Sequence, residues 1–212
     1  MDTQAHWEHI YETKSPEETS WYQPHLEISI DWISAAVKGL SSSIIDVGGG
    51  ESTLADDLLA AGYRNLTVLD VAGAAIKKFQ ERLRPAAQSV HWLKGEVTTV
   101  ALPAHAYDLW HDRAVFHFLT EPQRRVAYLR QLVSALKPGG QVVMATFGPQ
   151  GPEKCSGLNT KRYDAESLHY ELGPEFHLVR SSVAMHQTPM GTMQQFLYCQ
   201  FSLNPVQEGS TP

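Results

Sequence analysis

The sequence predicts an α/β fold: a doubly wound sheet of seven strands, mostly parallel, ending in an antiparallel C-terminal hairpin. Three observations predict it. Short apolar runs alternate with longer amphipathic stretches from residue 25 to residue 147, the pattern of strands covered by helices. The first apolar run opens straight into Gly48-Gly49-Gly50. Glycines there let a ligand approach the backbone at the carboxyl end of a parallel strand. The last third breaks the alternation with two strand-like runs, 176–187 and 193–201, parted by a few turn residues. So short a link joins antiparallel strands.

In chain order, residues 1–23 hold a short aromatic helix and a loop, and 25–37 carry apolar side chains at helical spacing. A strand over 43–49 leads to a helix over 53–62, stopped by Gly62. A second strand over 65–71 leads to a helix over 74–83, its end marked by Pro85. Strands follow over 90–97 and 107–115. The next helix, 121–140, starts with Pro122 in its first turn and ends at Pro138-Gly139-Gly140. A fifth strand covers 141–147. A long loop, 148–164, precedes a helix over 163–173 with Asp164 as its N-cap.

Composition sets bounds on function. The 212 residues, 42% hydrophobic and 19% charged, suit one globular domain. A net charge of −6 tilts against nucleic-acid binding, which rests on basic contacts to phosphates. Cys155 and Cys199 have no metal-ligand spacing, so neither a bound metal nor a disulfide is expected. No apolar run approaches a membrane span, and the first residues lack a hydrophobic signal core. The expected setting is therefore cytoplasmic, with no membrane partner.

The chemistry-bearing residues sit at strand ends. Asp46 precedes the glycines, and Asp70 ends the second strand, where an acid accepts hydrogen bonds from ribose hydroxyls. Dehydrogenases share this pair of features. The fourth strand ends in His111-Asp112-Arg113. His111 has a side chain suited to taking a proton near neutral pH, or it is a hydrogen-bonded structural histidine. His117, between Phe116 and Phe118, reads as packing, and Cys199 as core.

Several landmarks in order carry a resemblance: DVGGGES at 46–52, Asp70, GEV at 95–97, YDLWHDRAVFHFL at 107–119, LKPGGQVVMATF at 136–147, and the closing hairpin. Across nearly its whole length the chain resembles class I S-adenosylmethionine-dependent methyltransferases, whose sheet is Rossmann-like. The opening, 6–23, looks like a group of small bacterial methyltransferases related in pattern to protein-lysine methyltransferases of the elongation-factor and citrate-synthase type. The resemblance implies a methyltransferase domain over 25–203; the aromatic residues before it make 1–24 a lid segment, and the polar, Pro/Gly-rich end makes 204–212 a flexible tail.

It further implies that Asp46, Gly48, Gly49 and Gly50 line the methionine side of S-adenosylmethionine, with S-adenosylhomocysteine as product. Asp70 and Val71 hold the ribose, and Glu96 with Val97 addresses the adenine. Asp112 pairs with a cofactor or substrate amine, and His111 serves as base. Aromatic faces attract a desolvated sulfonium, which places Trp21 at the cofactor and Tyr22 at the acceptor; for Trp7 ordinary packing is the preferred reading. Arg113, Cys155 and Arg162 are expected to touch the acceptor. With Lys154 and Lys161, the two arginines suggest an anionic one.

The expected reaction is methyl transfer to a small-molecule acceptor, with a protein lysine as the alternative, by a monomer or weak homodimer. A nicotinamide-dependent oxidoreductase is disfavoured by the terminal hairpin. A non-catalytic cofactor-binding protein is disfavoured by the His-Asp-Arg edge and the 148–164 loop.

Overall fold

The computed structural model describes residues 3–204. The tail expected over 204–212 lies, beyond Asn204, outside the described residues. Helix α1 (Thr3–Thr13) and α2 (Glu27–Ala36) precede strand β1 (Ile44–Val47). Then come α3 (Leu54–Ala60), β2 (Leu66–Asp70), α4 (Gly73–Leu83), β3 (Val90–Lys94) and β4 (Tyr107–Arg113). Helix α5 (Pro122–Ala135) leads into β5 (Leu136–Phe147). The chain ends with β6 (Lys154–Cys155), β7 (Leu158–Asn159), α6 (Ala165–Leu172), β8 (Phe176–Gln187) and β9 (Met193–Leu203).

The main sheet has the order β3-β2-β1-β4-β5-β9-β8. Strands β1 to β5 run parallel, β9 is antiparallel to β5, and β8 is antiparallel to β9. The central strands are buried along their whole length, because helices cover both faces. Alternate residues enter different cores. Ile44 and Val68 pack with Ile33, Leu54 and Phe79 beneath α2, α3 and α4. Ile45 and Val47 pack with Trp110, Tyr128 and Leu168 beneath α5 and α6. Asp164 caps α6 as expected, its carboxylate accepting the Ser167 N–H at 2.8 Å.

Two expectations are corrected. The helix expected over 121–140 ends at Ala135, and Leu136 already pairs with Tyr107. Pro138 disfavours helical backbone at Lys137, which extends instead and donates from Nζ to Asp108 at 2.7 Å. The loop expected over 148–164 contains the β6–β7 hairpin. Its two turn residues, Ser156 and Gly157, have φ of 48° and 80°, the positive values that a tight two-residue hairpin turn requires. No helix among the described residues is long and apolar enough to cross a membrane.

Candidate active site

The carboxyl ends of β1, β2 and β4, with the turn after β3, open into a cavity of about 270 Å³. The parallel arrangement dictates this place: the loops there leave a crevice where the winding of the sheet reverses. Gly48, Asp70, Val71, Glu96 and Val97 line one end. Trp21, Phe118, Phe147 and Phe196 line the other. The glycine turn is shaped by close approach. A Cβ on Gly48 would stand 2.0 Å from the Val115 side chain, and one on Gly50 2.6 Å from the Tyr11 hydroxyl. Both residues have positive φ, 67° and 42°, which L side chains rarely adopt. Gly49 lines a second, smaller pocket beside the first.

Asp70 is 5% exposed and accepts the Ala72 N–H at 2.8 Å. Burial pushes its carboxyl up to about 7, against the pull of the Ala72 and Gly50 N–H groups. Glu96 reaches over the cavity to Arg124, with 2.9 Å between Oε2 and Nη2. Asp46 has one oxygen on His111 Nδ1 at 2.7 Å; its Oδ2 is buried without a hydrogen-bond partner among the described residues. The smaller pocket, about 40 Å³, is lined by Asp46, Gly49, Tyr22 and Glu51.

Of the strand-end triplet, His111 and Asp112 are not part of the main cavity wall. His111 is 1% exposed. Its Nδ1–H donates to Asp46, and its Nε2 takes the Ser29 hydroxyl at 2.9 Å. Both ring nitrogens are engaged, so His111 orients Asp46, and it stands outside the main cavity wall. Asp112 is fully buried and turned away from the cavity. Its oxygens accept the Val115 N–H at 2.9 Å, the Phe116 N–H at 3.1 Å and the Tyr128 hydroxyl at 2.6 Å. It holds the turn through Ala114, whose φ is 73°, and lines neither the main cavity nor the smaller pocket. Burial pushes its carboxyl up to about 6.

Arg113 does line the cavity. Its Nε donates to the Tyr198 hydroxyl at 3.2 Å and its Nη1 to the Trp21 carbonyl at 2.9 Å, while the guanidinium stacks 4.7 Å from the Phe196 ring centre. Its Nη2 is buried without a hydrogen-bond partner among the described residues. Cys155 also lines the cavity, its Sγ 3.6 Å from the Ser20 hydroxyl; burial raises its thiol, which therefore stays protonated. Arg162 is corrected: it pairs with Glu153 at 2.9 Å and is not part of the cavity wall. Lys161 is likewise bound to Glu171, and Lys154 is exposed. The basic cluster expected at the acceptor reduces to Arg113.

The N-terminal segment roofs the cavity. Thr3, Trp7 and Tyr11 follow at four-residue spacing on one face of α1, and all three line it. Trp7 meets Trp21 and Phe118 with ring centres 5.7 and 5.1 Å apart, so its packing and its place in the wall are the same contact. Tyr11 is buried 6% exposed, and burial beside Asp70 raises its phenol far above the ordinary value. Glu8 fastens α1 by accepting the Gly73 N–H at 2.7 Å at the start of α4, where a helix favours negative charge. Farther along, His186 on β8 donates to the Ser20 carbonyl at 2.8 Å and accepts from Gln23 at 3.0 Å. Trp21 lines both the main cavity and the smaller pocket, whereas Tyr22 lines the smaller one alone of the two. Tyr11, Phe147, Phe196 and Arg124 carry no separate role in the sequence reading; the four-residue spacing in α1 is the available signal for Tyr11.

Among the described residues no group of three or more His, Cys, Asp or Glu is placed to hold a metal ion. Residues 44–140 match the family model described as a methyltransferase domain. The eEF1A lysine and N-terminal methyltransferase homolog of Drosophila melanogaster is 24% identical over 144 residues, 65% of this chain and 21% of the relative. The Mus musculus eEF1A lysine and N-terminal methyltransferase is 22% identical over 138 residues, 65% of this chain and 19% of its own length. The chain thus spans about a fifth of the length of these curated relatives. Among solved structures, one concerning conversion of a disulfide bond into a thioacetal group during echinomycin biosynthesis superposes with a TM-score of 0.77 at 14% identity, covering 95% of this chain and 93% of the other. The N-methyltransferase NodS from Bradyrhizobium japonicum WM9, in complex with S-adenosylhomocysteine, gives 0.71 at 16% identity, with 95% and 99% covered.

Proposed function

We propose that this chain is a class I S-adenosylmethionine-dependent methyltransferase that moves a methyl group to a small-molecule acceptor held at the aromatic end of the cavity. The carrying observation is the roof: α1 and Trp21 close over a cavity whose other end has the glycine turn and Asp70. The residues fit the cofactor. The free Asp46 oxygen in the smaller pocket suits an ammonium donor such as the methionine amine. Gly48 and Gly50 leave room along the backbone, Asp70 and Val71 suit the ribose, and Glu96 and Val97 suit the adenine.

When bound, S-adenosylmethionine supplies an activated methyl group on a positively charged sulfur. The protein's share is positioning and water exclusion. Trp7, Trp21 and Phe118 form adjoining aromatic walls suited to a cation. His111 holds Asp46 in place, and residues 3–24 act as the lid.

A second reading is methylation of a lysine side chain or an N-terminal amine in a protein. The names of the curated relatives favour it. The roofed cavity favours the small molecule, because closed pockets bury most of a small ligand.

Lid behaviour gives the test of this enclosure. Amide hydrogen exchange in peptides covering 15–25 slows when S-adenosylhomocysteine binds, since Trp21 and its neighbours then close on a ligand. Equal exchange with and without the ligand leaves this segment as ordinary packing and removes the argument for an enclosed acceptor.

A further inference from the structure

We infer that the acceptor is a small planar acid that attacks as its own anion, an oxygen or sulfur nucleophile on an aromatic body, and that Arg113 receives its charge. The inference rests on the methyltransferase reading and adds the chemistry of the acceptor.

The first observation is Arg113. Two of its three nitrogens are held by Tyr198 and Trp21, which fixes the guanidinium, while Nη2 is buried and unpaired among the described residues. Arg113 lines both the main cavity and the smaller pocket, and a buried donor without a partner is costly unless a ligand meets it. A fixed guanidinium prefers an anion.

The second observation is what the acceptor end lacks. The carboxylates in the cavity wall are Asp70 and Glu96, both at the glycine-turn end, and Glu96 is paired with Arg124. No imidazole lines the cavity among the described residues; His111 is engaged on both nitrogens and faces the smaller pocket. Tyr11 and Cys155, whose burial keeps both protonated, do not accept a proton near neutral pH.

An ammonium or neutral amine acceptor therefore has no described group to take its proton and meets a fixed cation beside a sulfonium. An anion needs no base. Its lone pair forms the bond to the methyl carbon, and the carbon–sulfur bond breaks with its electrons staying on sulfur. Both charges cancel, and the products are a neutral ester, ether or thioether and neutral S-adenosylhomocysteine, with no proton released. Phe147, Phe196 and Phe118 supply apolar faces for a planar body.

The test is calorimetry on the full chain saturated with S-adenosylhomocysteine, titrated with benzoate, thiophenolate, benzamide and benzylamine. At least one of the two anions binds about tenfold or more tightly than benzamide, the better anion identifying oxygen or sulfur, and benzylamine binds least. Arg113→Gln removes the preference for the anion, and Arg113→Lys keeps most of it. Benzamide or benzylamine binding as well as both anions, or neither anion binding, overturns the inference while the methyl-donor site stands. Failure of S-adenosylhomocysteine itself to bind the wild-type chain overturns the reading beneath it. The wild-type comparison of the four probes decides the matter even where Arg113→Gln does not fold.

Discussion

Replacing Asp70 by alanine weakens binding of S-adenosylhomocysteine by about 1.5–3 kcal/mol, the usual worth of hydrogen bonds to a charged group. That is roughly tenfold to a hundredfold or more in affinity. Asp70 ends β2 within the cavity wall and is nearly buried. Its carboxyl is raised to about 7 chiefly by burial. The ribose hydroxyls donate to the ionised form, so ligand binding favours loss of the proton. In the wild-type chain affinity therefore rises with pH up to about 7 and levels above it; at pH 6 it is about tenfold weaker than at pH 8. In Asp70→Ala that slope disappears. Calorimetry at the two pH values reads both effects. A folded Asp70→Ala variant with wild-type affinity removes Asp70 from the ribose site.

Replacing Asp112 by alanine costs the fold about 3–5 kcal/mol, because several buried donors lose their acceptor together. The Val115 and Phe116 N–H groups and the Tyr128 hydroxyl all converge on its carboxylate, and Trp110 Nε1 in turn donates to Tyr128 at 2.8 Å. The loss is smaller than the sum of the bonds, since the buried carboxylate is itself held at a cost, shown by its rise to about 6. Asp112→Asn keeps an acceptor for the turn and loses less. Urea unfolding measures the difference. A variant of wild-type stability that has lost S-adenosylhomocysteine affinity returns Asp112 to the cofactor and contradicts the geometry.

The fold was legible because its signals are local. Ile44 to Val47 are buried on both faces, so they read as a short apolar run interrupted only by Asp46, and the glycines that follow declare the turn. The closing hairpin was legible from the short link between β8 and β9. The end of α5 was misread because the Pro-Gly-Gly signal marks a stop without saying how far before it the helix ends.

The site was less legible because strand position does not tell which way a side chain faces or what meets it there. His111 and Asp112 are neighbours on β4 and so point to opposite faces. One meets Ser29 of α2, the other Tyr128 of α5. Arg113 returns to the His111 face and reaches the Trp21 carbonyl. Arg162 is a loop residue whose partner, Glu153, is brought to it by the β6–β7 hairpin. The Ser156-Gly157 pair carried that turn in the sequence. The aromatic roof was half legible. Trp21 was placed, but the stripe of Thr3, Trp7 and Tyr11 gains meaning only once Glu8 ties α1 to α4.

The central claim is methyl transfer to a small acceptor. It is tested most directly by incubating the protein with methyl-labelled S-adenosylmethionine and a whole-cell extract, then separating the label by size. The account predicts label in the low-mass fraction as a new product, with S-adenosylhomocysteine formed in equal amount. Label held on a discrete protein band and missing from the low-mass fraction would contradict it and promote the protein-amine reading.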